Sequence, residues 1–167
     1  ARFVSELGAD RIDYLLADRE FIGEDWFKYL IDAKIKFVIR VKSNIWVDVE
    51  GIKVKSCKLF KQANQGGMLS YNVKIDEIAL QMQATRSTEN DLVIVVSNRL
   101  SEPNLLVIYA KRWRIECLFA KLKSRGFNVE DTHFTGKDRI GNWIKLIVLA
   151  LIIVFDSWAR SIDKKDE

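Results

Sequence analysis

Two short apolar runs bracket one amphipathic segment near the start of the chain, and that order restricts the fold more than any other feature of the sequence. "RIDYLLAD" at 11–18 and "KFVIRVK" at 36–42 have the length and composition of buried strands. Between them, "GEDWFKYLIDAK" at 23–34 brings Trp26, Phe27, Leu30 and Ile31 round at helical spacing. Strand, helix, strand over roughly thirty residues is the pattern of a βαβ unit. Parallel strands cannot be joined by a tight turn, so the helix has to cross one face of a sheet. The expected fold class is therefore α/β.

The middle of the chain changes character. "IWVDV", "IKVKSCKLF", "LSYNVKI" and "IALQMQAT" are short strand-like runs, with "NQGG" at 64–67 as a turn. "DLVIVVSN" at 91–98 reads as a return strand. From about 103 the pattern is helical, over 104–125 and again over 137–161, with Pro103 placed to open the first helix. Residues 1–7 read as the end of a helix stopped at Gly8, and with no initiator Met the chain is expected to be a fragment. Three segments follow: 1–44, part of a core; 45–90, a β-rich insert; 91–167, a return strand and C-terminal helices.

Bulk properties exclude more than they identify. At 167 residues and 49% apolar content the chain can bury a real core. A net charge of +4 is too small to argue for nucleic acid by itself. Cys57 and Cys117 fit no metal-site spacing, so free thiols in a reducing compartment are expected. "LIVLALIIVF" at 146–155 falls short of the roughly 20 residues that a membrane span needs. Lys145, Asp156 and Arg160 flank it, so a buried helix is expected and no membrane.

The chemistry concentrates in "YAKRWRIECLFAKLKSRG" at 109–126, where one acid, Glu116, sits among six basic residues. On a helix at roughly 100° per residue, Tyr109, Arg112, Glu116 and Lys123 share a stripe about 60° wide. Ile115, Leu118, Phe119 and Leu122 form an apolar face beside it, and Lys111, Arg114, Lys121 and Arg125 a basic one. Spacing alone is satisfied by a solvated amphipathic helix with an Arg112–Glu116 pair worth about 0.2–0.5 kcal/mol. It is equally satisfied by a stripe that grips a phosphodiester and a metal ion.

Tyr109-x2-Arg112-x3-Glu116-x6-Lys123 resembles the Tyr-Arg-Glu-Lys signature of a large branch of bacterial insertion-sequence transposases, DDE enzymes with an RNase H-like (retroviral-integrase-like) core. "GFNVEDTHFTGKDRI" at 126–140 is similar to that family's continuation. The resemblance implies that Glu116 is the third acid of the catalytic triad and a metal ligand. It implies that Tyr109, Arg112 and Lys123 contact transposon-end DNA. The second acid of such enzymes ends a strand and precedes a basic residue, which falls on Asp18 followed by Arg19. Strand alternation supports that position, because Tyr14, Leu16 and Asp18 share a parity that Asp13 does not. Without the signature, Asp18 reads as a loop or capping acid.

The same resemblance implies two Mg²⁺ (or Mn²⁺) ions, since hard cations take carboxylate oxygens. It implies DNA as the partner, a dimer in the active complex, and a cytoplasmic, nucleoid-associated enzyme. The first acid of the triad has no candidate before residue 10, so the core is expected to be incomplete at its N-terminus and the chain inactive by itself. Lys111, Arg114, Lys121 and Arg125 are candidates for tracking DNA phosphates, with plain solvation as the alternative. Trp46 reads first as core packing, with stacking on an unpaired base as the alternative. Trp113, Trp143, Phe155 and Trp158 are expected in the core, and His133 in a structural role. The expected function is cut-and-paste DNA transposition. The rivals are a catalytically dead remnant that binds DNA or interferes with intact transposase, and an unrelated RNase H-like nuclease.

Overall fold

The computed structural model describes residue 4, residues 8–124, and residues 139, 141, 142, 145, 146 and 149, with no side chains for 121–124. Residues Ala1–Trp113 form one unit and Arg114–Glu167 another.

The strand–helix–strand unit is present, in shortened form. A 3-10 turn occupies Ala9–Arg11, and strand β1 is only Leu15–Ala17. Helix α1 spans Glu24–Asp32. Glu24 and Asp25 in its first turn complement the helix dipole. The chain leaves α1 through Lys34 in the left-handed region, at φ 57°, with the Ile35 N–H bonded back to the Leu30 carbonyl at 2.9 Å. Strand β2, Phe37–Val41, then pairs parallel with β1, Leu15 opposite Phe37 and Ala17 opposite Ile39.

The residues 45–90, read as a β-rich insert, contribute four strands to the sheet. Strands β3 (Trp46–Val49), β4 (Ile52–Lys55), β5 (Leu69–Ile75) and β6 (Ile78–Arg86) join β7 (Leu92–Ser97) in one seven-stranded sheet of order β1-β2-β7-β6-β5-β3-β4. Every pairing except β1–β2 is antiparallel. Two of its hairpins turn on two residues with positive φ, Glu50–Gly51 and Asp76–Glu77, as the twist of tight hairpins requires. The "NQGG" segment forms its turn, with the Gly67 N–H bonded to the Asn64 carbonyl and Gly66 at φ 72°. "IKVKSCKLF" is strand only at β4. It then winds into a short helix α2, Ser56–Leu59. The Ser56 N–H bonds the Ile45 carbonyl and its hydroxyl the Ser43 carbonyl at 2.8 Å, which draws the backbone off the sheet.

Alternation splits the sheet's side chains between two layers. On one face, Phe37, Ile39, Leu80, Met82, Ile94 and Val96 meet Phe27 and Leu30 of α1 in the main core. The Phe27 and Phe37 rings stack at 5.4 Å. On the other face, Val38 and Val95 meet Leu105, with Tyr14, Leu16 and Tyr109 packed alongside.

That second layer is made by a helix which differs from expectation. The single helix read at 104–125 is two: α3, Leu105–Ala110, and α4, Trp113–Ser124. At the break the Lys111 and Arg112 N–H groups bond the carbonyls of Ile108 and Tyr109, three residues back rather than four. Such a tight turn advances more per residue than an α-helix. One helical wheel therefore does not carry from Tyr109 to Glu116 and Lys123. In the region read as helix at 137–161, residues 139, 141, 142, 145, 146 and 149 are helical, and the others lie outside the described residues. Among the described residues, no helix is long and apolar enough to cross a membrane.

Replacing Phe27 by Ala is expected to cost about 3–5 kcal/mol of unfolding free energy in urea, because it empties the centre of the main core. A loss below about 1 kcal/mol would contradict this packing.

Candidate functional site

The polar cluster that stands out lies where β1 ends. Tyr14, Leu16 and Asp18 follow one parity, and the first two pack in the layer beneath α3. Asp18 comes one residue after the last paired position of the strand. Here the backbone turns away, closed by the Phe21 N–H on the Asp18 carbonyl at 2.9 Å. The Arg19 N–H donates to Asp18 Oδ1 at 2.8 Å, which orients the carboxylate. Its other oxygen faces Arg112, with Nη2 to Oδ2 at 3.9 Å. The two side chains are 37% and 24% exposed. At that separation and exposure the pair contributes at most about 1 kcal/mol. Its importance is therefore positional rather than energetic.

Tyr109 completes the cluster. Its ring packs on the Val38–Val95–Leu105 layer, and the Arg112 guanidinium carbon lies 5.7 Å from the ring centroid, a cation–π distance. The hydroxyl is buried and makes no hydrogen bond within the described residues. Burial pushes the phenol above its ordinary value; Arg112 opposes that shift, Asp18 adds to it, and Arg40 opposes it. The charges of Arg112, Asp18 and Arg40 all act on this buried hydroxyl, which marks a place at the strand end where an anionic oxygen would be accommodated.

Arg40 was not among the residues singled out from sequence. It is the one position of β2 that is not fully buried. Parity places it with Val38 on the α3 face, in the strand beside Asp18. The available signal was the single charge interrupting "FVIRV", a pattern that points to one functional face on an otherwise buried strand.

The structure thus brings Asp18, Tyr109 and Arg112 together. Glu116 lies on α4, half-buried, in the second unit. Lys111 and Arg114 are exposed. Lys121 and Lys123 belong to α4, but their side chains are not described, and Arg125 lies outside the described residues, as do His133, Trp143, Phe155 and Trp158. Asp13 is held elsewhere, bonded to Lys36 at 3.3 Å. Two aromatic expectations change. Trp46 is 62% exposed rather than in the core, with Lys55 Nζ 5.5 Å above its ring, beside a cleft of about 220 Å³ lined also by Asp48, Lys53 and Lys74. Trp113 is 66% exposed, because the break at Lys111–Arg112 removes it from the packed face of α3. Among the described residues, no three acids, histidines or cysteines form a metal-binding group.

A mixed α/β sheet with an acid at a strand end beside arginines fits a domain that works on a phosphate-bearing polymer. A family model described as a transposase DDE domain matches residues 1–153. The chain belongs to that family. No curated relative matches it. Transposases of this family act on DNA and use divalent metal ions.

The Tyr109 phenol is expected to titrate above the ordinary 10.0 in ultraviolet difference spectra against Tyr109→Phe. Because the folded value is raised, the stability tied to it is present below pH about 10 and is lost as pH rises through the folded value. Arg112→Ala is expected to raise the value further and Asp18→Asn to lower it. An ordinary titration, unmoved by either change, would contradict this geometry.

Proposed function

We propose that the cluster at the end of β1 is the DNA-facing half of a transposase active centre of the Tyr-Arg-Glu-Lys branch, acting in cut-and-paste transposition of a bacterial insertion sequence. The observation that carries the reading is the Asp18 carboxylate facing Arg112 at one strand end, with the buried Tyr109 hydroxyl under the influence of both and of Arg40 on the neighbouring strand. Two guanidinium groups and a phenol suit an anionic phosphodiester. Bidentate arginine contacts fix orientation as well as charge.

In this reading Asp18 and Glu116 are metal ligands, for Mg²⁺ or Mn²⁺. Their chemistry fits, since both are carboxylates and neither His nor Cys joins them. Bound divalent ions would activate the attacking oxygen and stabilise the leaving one. The protein's own groups do the rest. Arg112 screens Asp18 from the incoming phosphate and contacts it. Tyr109 donates its hydroxyl to a phosphate oxygen. Arg40 offsets the charge from the neighbouring strand. Lys123 contacts the same DNA, and Lys111, Arg114, Lys121 and Arg125 track its backbone. Trp46 stacks on an unpaired base. Pairing of two chains around the DNA ends belongs to the same reading. So do the division into core (1–44), insert (45–90) and helical part (91–167), and a nucleoid-associated location.

Duplex binding tests it. The affinity of the chain for a short DNA duplex is expected to fall steeply with salt, and Arg112→Ala to reduce the slope of log K against log salt by about one. Lys28→Ala, an exposed site on α1, should leave the slope unchanged. Salt-independent binding, or equal effects of the two changes, would defeat the proposal.

A further inference from the structure

Two glutamines of β6 sit where a sheet face would carry either apolar groups or solvated polar ones. Gln83 is 2% exposed and Gln81 6%. Burying a primary amide is costly unless its donors and acceptor are all used, and here they are. Gln83 Nε2 donates to the carbonyls of Glu102 and Pro103 at 3.0 and 3.1 Å, and its oxygen accepts from the Leu106 N–H at 3.4 Å. Gln81 Nε2 donates to the Glu102 carbonyl and to Ser70 Oγ, both at 3.0 Å, and its oxygen accepts from the Glu102 N–H at 2.9 Å.

All but the Ser70 bond end on the segment that leads into α3 or on its first turn. That helix has no cap of its own, since Asn104 at its N-cap makes no side-chain capping bond. Gln83 supplies an acceptor for one of the first-turn N–H groups from a different strand. Packing supplies the rest of the hold on α3: Leu105 is fully buried, and Leu106, Ile108 and Tyr109 pack alongside it, while Val107 is exposed. The Glu102 carboxylate ties the same segment to the strand of Asp18, accepting from the Tyr14 hydroxyl at 3.2 Å. Register adds a second connection. Gln83 pairs with Val95, and Val95 pairs with Arg40, so the three form one transverse row that runs toward the end of β1.

We propose that Gln83, with Gln81 beside it, is a positioning residue for the site: its amide clamps the start of α3 to the sheet and so fixes where Tyr109 and Arg112 stand against Asp18. A six-residue helix is only about 9 Å long. A shift at its first turn therefore reaches Tyr109 and Arg112 almost undiminished. Leucine at position 83 would fill the space and drop all three hydrogen bonds. The catalytic meaning of the clamp rests on the proposed DNA-facing function; the clamp itself does not.

The test uses the full chain and two readouts. In Gln83→Leu, hydrogen exchange of the α3 amides is expected to quicken by about tenfold relative to those of β6 and β7, with loss of the nuclear Overhauser contacts between the Tyr109 ring and the Val38 and Val95 methyls. Ser56→Ala, which removes a buried hydrogen bond elsewhere, should leave both unchanged. In duplex binding, Gln83→Leu is expected to weaken affinity on the order of fivefold, and the double change with Arg112→Ala to lose less than the two single losses combined, because part of the Gln83 effect runs through Arg112. Unaltered α3 exchange and Tyr109 contacts, or losses that add in the double variant, would overturn the proposal. If the unaltered chain bound no duplex, the function proposal would fail, and the exchange and Overhauser comparison would decide the clamp alone.

Discussion

Everything at the candidate site depends on the alternation of three residues. β1 is short, but its parallel pairing with β2 fixes which way each side chain points. Leu15 and Ala17 enter the main core, while Tyr14 and Leu16 enter the layer under α3. Asp18, next in the second series, is delivered to the strand end on the α3 side. A slip of one residue in that register would turn the carboxylate to the opposite face. The large core behind β1 and β2, with Phe27, Phe37 and Ile39 fully buried, holds the register.

The rest of the site is brought to Asp18 rather than built around it. Tyr109 arrives on α3, and Arg112 in the tight turn just after it; the helix is held to the sheet by Leu105 and its apolar neighbours and by the β6 amides. This gives the residues 45–90 a structural role beyond extending the sheet. β6 pairs with β7 from Gln81–Ser97 to Arg86–Leu92, and it places its glutamines where α3 must start. The strand read as part of an insert is therefore continuous with the layer on which the site rests.

Some of this was legible in the sequence and some was not. The βαβ unit, the turn at "NQGG", and the shared parity of Tyr14, Leu16 and Asp18 follow from periodicities that tertiary context did not override. The resemblance to DDE transposases is borne out at the level of the family by the match over 1–153. The break at Lys111–Arg112 was not legible, because no Pro or Gly marks it and the residues on both sides favour helix. Arg40 was missed because a lone charge in a buried strand carries no spacing signature. "IALQMQAT" read as a strand, but its alternation of Leu80, Gln81, Met82 and Gln83 suggests a solvent face where the structure has a buried one. Only the arrival of α3, distant in sequence, makes those amides interior.

The central proposal is that Asp18, delivered to the end of β1 beside Arg112 and Tyr109, holds a divalent ion. Paramagnetic broadening by substoichiometric Mn²⁺ tests it most directly. The account predicts selective loss of amide signals around residues 18–21, abolished by Asp18→Asn and displaced by excess Mg²⁺. Broadening confined to the exposed acids of α1 or the hairpin at Asp76–Glu77, or unchanged by Asp18→Asn, would contradict it.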